Sequence, residues 1–355
     1  FRSAAIGVRG PVRLALAGMD STGIVEALQN IVGASNVHAG AEVQDRSAVW
    51  GTKQPCRARA VVCPADTDEV AAVMRACHAA GQSVVPFGGL TNLVQGAATS
   101  ADDIALSFER MDQIEAVDRT AATMTVQAGV TMRAAQERAD EAGLYFPVDI
   151  GARDNCMLGG NVATNAGGTR VIRYGMIRDS VLGLEAVLAD GTVVSSMNTM
   201  LKNNSGFDLK QLFIGTEGVL GLITRIVFRL QVRPRSHNVA LVACNDFGHV
   251  VELLAATREA LGASLCGFEV MWDSFYSQVV QPVGKLPAPV EAGHPFSIII
   301  EAMGTVPGSD DEAFEAILTE MCAADLIVDG AVAKSASARE ALWARRHDGE
   351  GVGRD

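Results

Sequence analysis

One segment, Gly151–Gly168, restricts what this chain can fold into and bind more than any other part of the sequence. Two pairs of adjacent glycines enclose the short hydrogen-bonding side chains of Asn161, Thr164 and Asn165. Adjacent glycines allow a backbone to approach a ligand more closely than any Cβ atom would permit. Apolar residues are interleaved at core-like spacing, which a glycine-rich surface loop does not require. The segment therefore predicts contact with a large, flat and partly anionic ligand.

A second glycine-bearing segment, Pro86–Gly96, follows a short run that is typical of a strand. Successive backbone N–H groups in such a loop can point inward and hold a pyrophosphate by oriented dipoles, without a basic side chain. The hydroxyl of Thr91 and the amide of Asn92 would add donors. Taken alone, the loop is also compatible with an ordinary turn between a strand and a helix.

A nicotinamide site of the Rossmann type is not supported, because no GxGxxG motif lies between a predicted strand and a predicted helix. Gly215, Gly218 and Gly221 have a similar spacing. They lie within an apolar, strand-forming run, however, which favours close approach of the backbone to a ligand.

Length, hydropathy and net charge together argue for a two-domain protein and against a membrane-spanning or nucleic-acid-binding one. The 355 residues are enough for two domains with a sizeable core. No run approaches the ~20 apolar residues of a membrane-spanning helix. The net charge of −12 argues against nucleic acid as a partner, since phosphate binding needs clustered Lys and Arg. It leaves a small anionic substrate open, because such a ligand responds to local charge.

The seven cysteines are scattered and contain no CxxC pair. This pattern disfavours a disulfide framework, a structural zinc and an iron–sulfur cluster. It predicts a reducing compartment, most simply the cytoplasm.

Hydrophobic periodicity divides the chain into two regions joined by the proline-bearing basic linker Gln231–Arg235. The first region begins with strand, helix and strand over residues 58–88, where Asp66 and Glu69 form a capping box and Gly81 ends the helix. It continues with strands at 104–108, 114–117, 123–128, 181–188, 192–194 and 221–230 and a helix at 131–142. The second region has strands at 239–244, 265–271 and 296–302 and helices at 246–261, 310–324 and 336–345. That alternation predicts a ferredoxin-like layer.

Four segments together resemble the vanillyl-alcohol oxidase type of flavoprotein, in the branch that oxidises D-2-hydroxy acids. Val84–Val94 is similar to its pyrophosphate loop, and Gly151–Gly168 to its second FAD-contacting segment. Arg173–Glu185 resembles the linker into the next strand, and Asn204–Gly221 the signature nearest the flavin ring. The four occur in the family's order, with similar spacing. They are most similar to the segments of D-2-hydroxyglutarate dehydrogenases, D-lactate dehydrogenases and the FAD subunits of glycolate oxidase.

The resemblance implies an α+β fold: a two-subdomain PCMH-type FAD-binding domain at 19–234, then a ferredoxin-like substrate (cap) domain at 235–355. We expect that cap to be incomplete, with a C-terminal segment missing. Residues 1–18 are expected to be a non-native or targeting extension, with Met19 as the natural start.

The implied cofactor is FAD, bound non-covalently because the first loop has no His or Cys. Asn92 stands where the family usually has glycine, and we expect it to tolerate a positive φ there. Glu217 is the acid expected nearest the isoalloxazine or ribityl chain, with an ordinary surface glutamate as the alternative. Tyr174 is expected near the cofactor, or else in the core. The implied cofactor-binding residues are Pro86, Gly88, Gly89, Thr91, Asn92, Leu93, Asp149, Ile150, Gly151, Asn155, Gly159, Gly160, Asn161, Thr164, Asn165, Gly167, Gly168, Tyr174, Gly175, Glu217, Gly218, Gly221 and Ile223.

Arg346 takes the place of the arginine that binds the substrate carboxylate in the family, although a solvated arginine at a helix end is an equal alternative. The match stops there: Glu350 occupies the position of an expected hydroxyl residue. The family's His-Gly-Asp-Gly-Asn-Leu-His motif does not occur, and the six histidines form no HxH or HxxxH pair. No metal site is therefore predicted, although full-length relatives could hold a divalent metal such as zinc. Only His347 lies near an expected active-site element.

The implied function is FAD-dependent oxidation of a D-2-hydroxy acid, of the D-2-hydroxyglutarate, D-lactate or glycolate class, to the 2-oxo acid. The implied electron acceptor is electron-transferring flavoprotein, quinone or oxygen. The alternative is an FAD-binding subunit or an inactive truncated relative that acts within a complex. No catalytic residue is assigned.

Overall fold

The computed structural model describes residues 21–46, 55–281 and 283–347. The predictions for residues 1–18, for a start at Met19 and for Glu350 fall outside these ranges. The chain divides into two compact units. Unit 1 contains residues up to Phe146, Ala152–Ala166 and Ser180–Leu230, and unit 2 contains Pro147–Gly151, Gly167–Asp179 and residues from Gln231 onward. Two short segments predicted within the first domain thus belong to unit 2.

The described residues form a mixed set of strands and helices, as predicted. The strands are β1 (Val37–Ala39), β2 (Ala60–Val62), β3 (Val84–Phe87), β4 (Ile104–Ser107), β5 (Ile114–Asp118), β6 (Thr123–Gln127), β7 (Leu144–Tyr145), β8 (Val181–Val187), β9 (Val193–Ser196), β10 (Leu222–Arg229), β11 (Gln231–Val232), β12 (Ser236–Cys244), β13 (Leu265–Trp272), β14 (Phe296–Gly304) and β15 (Asp329–Val332). The α-helices are α1 (Ser21–Val32), α2 (Ala41–Gln44), α3 (Thr67–Ala80), α4 (Met132–Glu141), α5 (Leu158–Ala163), α6 (Val171–Tyr174), α7 (Ile177–Ser180), α8 (Phe247–Leu261), α9 (Asp273–Val279), α10 (Ser309–Ala323) and α11 (Ala336–His347).

Unit 1 contains two sheets. The first has the order β1-β2-β4-β3, and β4 lies parallel to both β2 and β3. Parallel strands require a crossover connection, and α3 provides the one from β2 to β3, which lie on either side of β4. The second sheet is antiparallel, in the order β5-β6-β10-β8-β9. Its central strand β10 is buried along most of its length, and the ring of Phe228 meets that of Phe146 edge to face at 5.1 Å.

The start of α3 shows how local sequence fixes this first crossover. The carboxylate of Asp66 accepts the N–H of Glu69 at 2.8 Å, as predicted for an N-cap. The carboxylate of Glu69 reaches back to the N–H of Ala65, one residue before the cap, rather than to that of Asp66. Gly81 ends the helix in the left-handed conformation.

Unit 2 is built on one antiparallel sheet in the order β13-β14-β12-β15. Numbered from the first strand of this region, the order is 2-3-1-4, so the predicted ferredoxin-like topology is confirmed. Alternate residues of β12 enter two separate cores: Ala240 and Val242 pack with α8 and α10, while Val239 and Leu241 pack with α9 and α11. Both faces of the sheet are therefore covered.

The edge strand β15 was not predicted. It has only four residues, none of them fully buried, so its sequence carries no clear alternation. Its pairing with β12 supplies the stability that its own residues do not indicate.

No helix within the described ranges combines the length and the hydropathy needed to cross a membrane.

Replacing Asp66 by Ala should lower the free energy of unfolding by about 1 kcal/mol, because the N–H of Glu69 loses its acceptor. Asp68→Ala is the matched control, since it removes an equal charge from the same turn without removing the cap. Urea denaturation of both variants measures the difference. Equal losses in the two variants would show that charge, and not the cap, is responsible.

Candidate functional site

Two glycines of the sequence-predicted segments, Gly88 and Gly160, lie side by side in unit 1, and both are partly exposed to solvent. A methyl group placed on Gly88 would lie 3.7 Å from the Cα of Gly160, its nearest neighbour. A methyl group on Gly160 would have no protein atom within 4 Å. Both backbones are therefore accessible to a ligand, as expected where a pyrophosphate meets a peptide surface.

Their partners in the two glycine pairs have another role. A methyl group on Gly89 would overlap the backbone of Asn155, and one on Gly159 would overlap Ala128. These glycines allow protein backbone to approach protein backbone. Gly89 and Gly159 thus join neighbouring segments, while Gly88 and Gly160 leave room for a Cβ atom.

A third segment completes this group. The N–H of Glu217 donates to the carbonyl of Ala163 at 2.8 Å, next to the end of α5. A methyl group on Gly96 would lie 3.2 Å from Oε2 of Glu217, and one on Gly218 would lie 2.9 Å from Cγ of Pro86. Segments that are far apart in sequence therefore converge. We call this group, made by Pro86–Gly96, Asn155–Asn165 and Gly215–Gly218, the glycine cradle.

Backbone strain is concentrated at the glycine cradle. Leu90, Asn165 and Glu217 have φ of 55°, 50° and 53°, a region that residues with a Cβ adopt infrequently. Such strain persists only where the surroundings enforce it, and it is frequent at ligand sites.

Asn92 does not need its expected tolerance, because Leu90 and Gln95, with φ of 55° and 60°, carry the positive φ in this loop. The side chain of Asn92 instead accepts the N–H of Gly96 at 3.3 Å and closes the turn. Thr91 is half-buried, and Leu93 is exposed.

Other predicted residues of unit 1 lie in the interior or in their own helix. Asn161 is buried and donates to Sγ of Cys156 at 3.3 Å, while Oγ1 of Thr164 donates to the carbonyl of Gly160. A methyl group on Gly221 would lie 2.9 Å from the ring of Phe213, and Ile223 is buried within β10. The buried side chains of Asn161 and Ile223 are therefore held by packing within unit 1.

The remaining predicted cofactor residues belong to unit 2. Gly168 has φ 103°, and a methyl group there would overlap the carbonyl of Asp149. Thr169 donates its N–H to the same carbonyl at 3.1 Å. Gly168 is therefore explained by packing on the chain itself. Gly167 likewise lies against Met176, and Gly175 lies against Asp179. The ring of Tyr174 lies 4.9 Å beneath the guanidinium of Arg173. Ile150 is half-buried, and Gly151 is exposed beside His347.

Residues 149 and 170 lead to a buried polar group that the sequence analysis missed. Arg170 donates from Nη1 to Asp149 at 2.9 Å. The same guanidinium donates to both carboxylate oxygens of Glu301, from Nε at 2.8 Å and from Nη2 at 3.1 Å. Glu301 lies at the centre of β14 and is fully inaccessible to solvent.

Three further donors surround the carboxylate of Glu301. Nε2 of His237 lies at 2.7 Å, the indole N–H of Trp343 at 3.1 Å and Sγ of Cys266 at 3.4 Å. Burial disfavours the charged form of Glu301, but the hydrogen bond from His237 and the charge of Arg170 outweigh it and hold the pKa of this carboxyl well below its usual range. We call Asp149, Arg170, His237, Cys266, Glu301 and Trp343 the Glu301 cluster.

Arg346 is held near the end of α11. Its Nε donates to Oε2 of Glu269 at 2.8 Å, and its side chain is 41% exposed. It borders a cavity of about 390 Å³ whose walls include Trp272 and Phe275. The preceding Arg345 is buried and donates to the carbonyl of Pro287, which is a structural role.

The ring of His347 stacks on that of Trp343 at 5.5 Å. Within the described ranges, one trio, His38, Cys63 and Glu109, places metal-ligating atoms within 4.8 Å of one another. Both oxygens of Glu109 are engaged by Arg46, at 2.9 and 3.2 Å, so a cation already neutralises this carboxylate.

Glu301→Gln should make the free energy of unfolding less sensitive to a fall in pH. The pKa of Glu301 is lowered in the folded state, so its contribution is fully present above the unfolded value of about 4.3 and is lost as pH falls further. We expect the free energy of unfolding of the unmodified chain to exceed that of the variant by a constant amount above about pH 5, and this difference to shrink at lower pH.

Urea denaturation of both proteins at several pH values between about 7 and 3 measures this difference. A difference that stays constant across that whole range would contradict the assignment.

Two family profiles match the chain in order. Residues 58–196 match the family described as FAD binding domain, and residues 233–351 match the C-terminal domain of FAD linked oxidases.

The chain is 37% identical over 320 residues to the mitochondrial D-2-hydroxyglutarate dehydrogenase of Bos taurus, covering 90% of this chain and 58% of that protein. It is 39% identical over 283 residues to that of Danio rerio, covering 80% and 53%. A mitochondrial protein of Schizosaccharomyces pombe, provisionally named a D-lactate dehydrogenase, is 36% identical over 84% of this chain and 56% of its own. The chain thus spans little more than half the length of these relatives.

Among solved structures, an alkyldihydroxyacetonephosphate synthase superposes with a TM-score of 0.75 at 18% identity, over 94% of this chain and 65% of that one. A p-cresol methylhydroxylase superposes with a TM-score of 0.70 at 16% identity, over 88% and 65%. At such identities the likeness shows the fold alone. With both domain profiles in order and this fold in common, the chain belongs to the FAD-linked oxidases, flavoproteins with a PCMH-type FAD-binding domain followed by an α+β C-terminal domain.

Proposed function

We propose that this chain oxidises a D-2-hydroxy acid to the corresponding 2-oxo acid with bound FAD. The observation that carries the proposal is the glycine cradle, where the partly exposed backbones of Gly88 and Gly160 lie beside each other and Gly160 borders open space. Its segments are those that resemble the flavin-contacting segments of this branch. The chain is 37% and 39% identical to two D-2-hydroxyglutarate dehydrogenases, over 90% and 80% of its length, and this similarity supports the same substrate class.

The glycine cradle suits a dinucleotide because it offers backbone rather than charge. Pro86–Gly96 would hold the pyrophosphate through N–H groups, and Glu217 would lie toward the ribityl or ring portion. Binding is non-covalent, since Phe87 and Leu90 fill the variable positions of the loop and Cys156 is buried against Asn161. When bound, FAD supplies a two-electron acceptor for the substrate α-carbon.

Arg346 is the proposed partner of the substrate carboxylate. Glu269 engages its Nε, and this contact orients the guanidinium while leaving the terminal nitrogens to form a fork. Such a planar fork pairs with both oxygens of a carboxylate. Trp272 and Phe275 line the cavity beside Arg346.

The electron acceptor and the compartment follow the predictions made from sequence. Electron-transferring flavoprotein, quinone or oxygen would reoxidise the flavin. All seven cysteines are free in the structure, which is compatible with the proposed cytoplasm. The relatives named above are mitochondrial, another compartment that keeps thiols reduced.

The purified chain should show flavin absorption bands that bleach on anaerobic addition of D-2-hydroxyglutarate or D-lactate. Bleaching is expected because bound FAD would accept the two electrons that are released when the 2-hydroxy acid becomes the 2-oxo acid. L-2-Hydroxyglutarate is the matched control and should leave the bands unchanged. Bands that persist with every 2-hydroxy acid would favour the alternative, a flavin-binding subunit whose chemistry requires a partner.

Arg346→Lys should raise the substrate concentration for half-maximal bleaching about 10- to 100-fold, because an ammonium cannot reproduce the bidentate pair. The flavin spectrum before substrate addition should not change. Arg339→Lys, on the same helix α11, is the control and should behave as the unmodified chain. An unaltered concentration dependence in Arg346→Lys would remove Arg346 from the substrate site.

A further inference from the structure

The chain passes from one unit to the other on both sides of a segment that contains Asn155–Asn165, one of the three segments of the glycine cradle. Ala152–Ala166 belongs to unit 1, while its flanking segments Pro147–Gly151 and Gly167–Asp179 belong to unit 2. Whatever fixes the flanks therefore restricts the conformations of the segment between them, through covalent continuity alone.

The flanks are fixed to each other. The carbonyl of Asp149 accepts the N–H of Thr169, and its carboxylate accepts Nη1 of Arg170 at 2.9 Å. Gly168 permits this approach, because any larger residue would overlap the carbonyl of Asp149. The two ends of the cradle segment are thereby held together as the neck of a loop.

The neck is in turn attached to the sheet of unit 2 through Glu301. Glu301 receives Nε and Nη2 of Arg170, so that a single guanidinium spans the carboxylates of Asp149 and Glu301. The side chains of Arg170 and Asp149 are 11% and 5% exposed, and that of Glu301 is 0% exposed. Little solvent can compete with these contacts, so the geometry is specific.

We propose that Glu301 is a positioning residue for FAD: it orients Arg170, and through it the neck at Asp149 and Thr169, so that the cradle segment is preorganised for the cofactor. The proposal rests on FAD binding in the glycine cradle, and it is independent of which acid is oxidised. In this role Glu301 does not act on the substrate. Preorganisation matters here because ordering a loop upon binding would reduce affinity.

The first test measures the FAD dissociation constant of Glu301→Gln by flavin fluorescence. Gln keeps the shape of the side chain but removes the charge that holds the guanidinium. We expect the dissociation constant to rise about tenfold. Glu315→Gln is the matched control, because Glu315 forms an exposed ion pair with Lys334 elsewhere in unit 2. Its dissociation constant should stay unchanged.

A merely structural role would give another pattern. If Glu301→Gln lowers the melting temperature of the FAD-free protein and leaves the FAD dissociation constant unaltered, the proposal is overturned. The rise in melting temperature on adding FAD should also be smaller in Glu301→Gln than in the unmodified chain, since ligand stabilisation depends on the dissociation constant.

Arg170→Lys is a second variant that tests the same proposal. If Glu301→Gln does not fold, the FAD dissociation constant of Arg170→Lys decides whether the proposal holds. Lys keeps a positive charge but cannot span two carboxylates, so FAD affinity should fall similarly. The double variant should bind FAD no more weakly than the weaker single variant, since both changes release the same neck. Losses that multiply in the double variant would show that the two residues act separately and would contradict the proposal.

Loss of affinity in Glu301→Gln would be distinguishable from failure of the proposed function. Affinity is measured without substrate, so it can fall in a chain that never oxidises a 2-hydroxy acid. Conversely, a variant saturated with FAD could still show bleaching by substrate.

Discussion

The organisation of unit 2 depends on one buried negative charge, the carboxylate of Glu301. Removing such a group from water costs several kcal/mol, on the order of what a whole domain gains in net stability. The cost is offset only because four different elements deliver donors to it. Arg170 precedes α6, His237 lies on β12, Cys266 on β13 and Trp343 on α11. Each donor needs the others, since a partly satisfied buried carboxylate would be worse than an apolar core.

A charge network of this kind is a poor means of gaining stability alone. Replacing a buried ion pair by well-packed apolar residues is often neutral or stabilising. What the network provides is direction: the planar guanidinium of Arg170 fixes the angle between Asp149 and Glu301, which apolar contacts would leave adjustable. This distinction makes a geometric role for Glu301 more consistent with its surroundings than a purely stabilising one.

Much of the fold could be predicted from the sequence because its signals are local. The cap of Asp66 and the apolar run Val239–Cys244 of β12 each depend on a few neighbouring residues. The roles of individual glycines could not be predicted in this way. Gly88 and Gly89 look alike in sequence, yet a Cβ would fit at Gly88 and would overlap Asn155 at Gly89, a contact set by a segment far away along the chain. The same limit explains the polar residues that were missed. A lone Glu301 among the isoleucines of β14 was the available signal, because an acid in an otherwise buried strand requires partners. The sequence does not indicate that Arg170 is one of them, since 131 residues separate the two.

The position of the positive φ in the loop could not be predicted for a related reason. Residue preference favours Asn92, but tertiary contacts placed the strained conformation at Leu90.

The glycine cradle and the Glu301 cluster use different groups: the first offers backbone N–H groups, and the second is built from charged and polar side chains. The cradle presents backbone dipoles, and its affinity for an anion depends on several N–H groups pointing to one place. A charged side chain can follow a displaced ligand by rotating, whereas a backbone N–H moves only with its whole segment. A site without basic side chains is therefore sensitive to how its segments are anchored. The rigid charge network at the neck of Ala152–Ala166 is where such a site would need its strongest constraint.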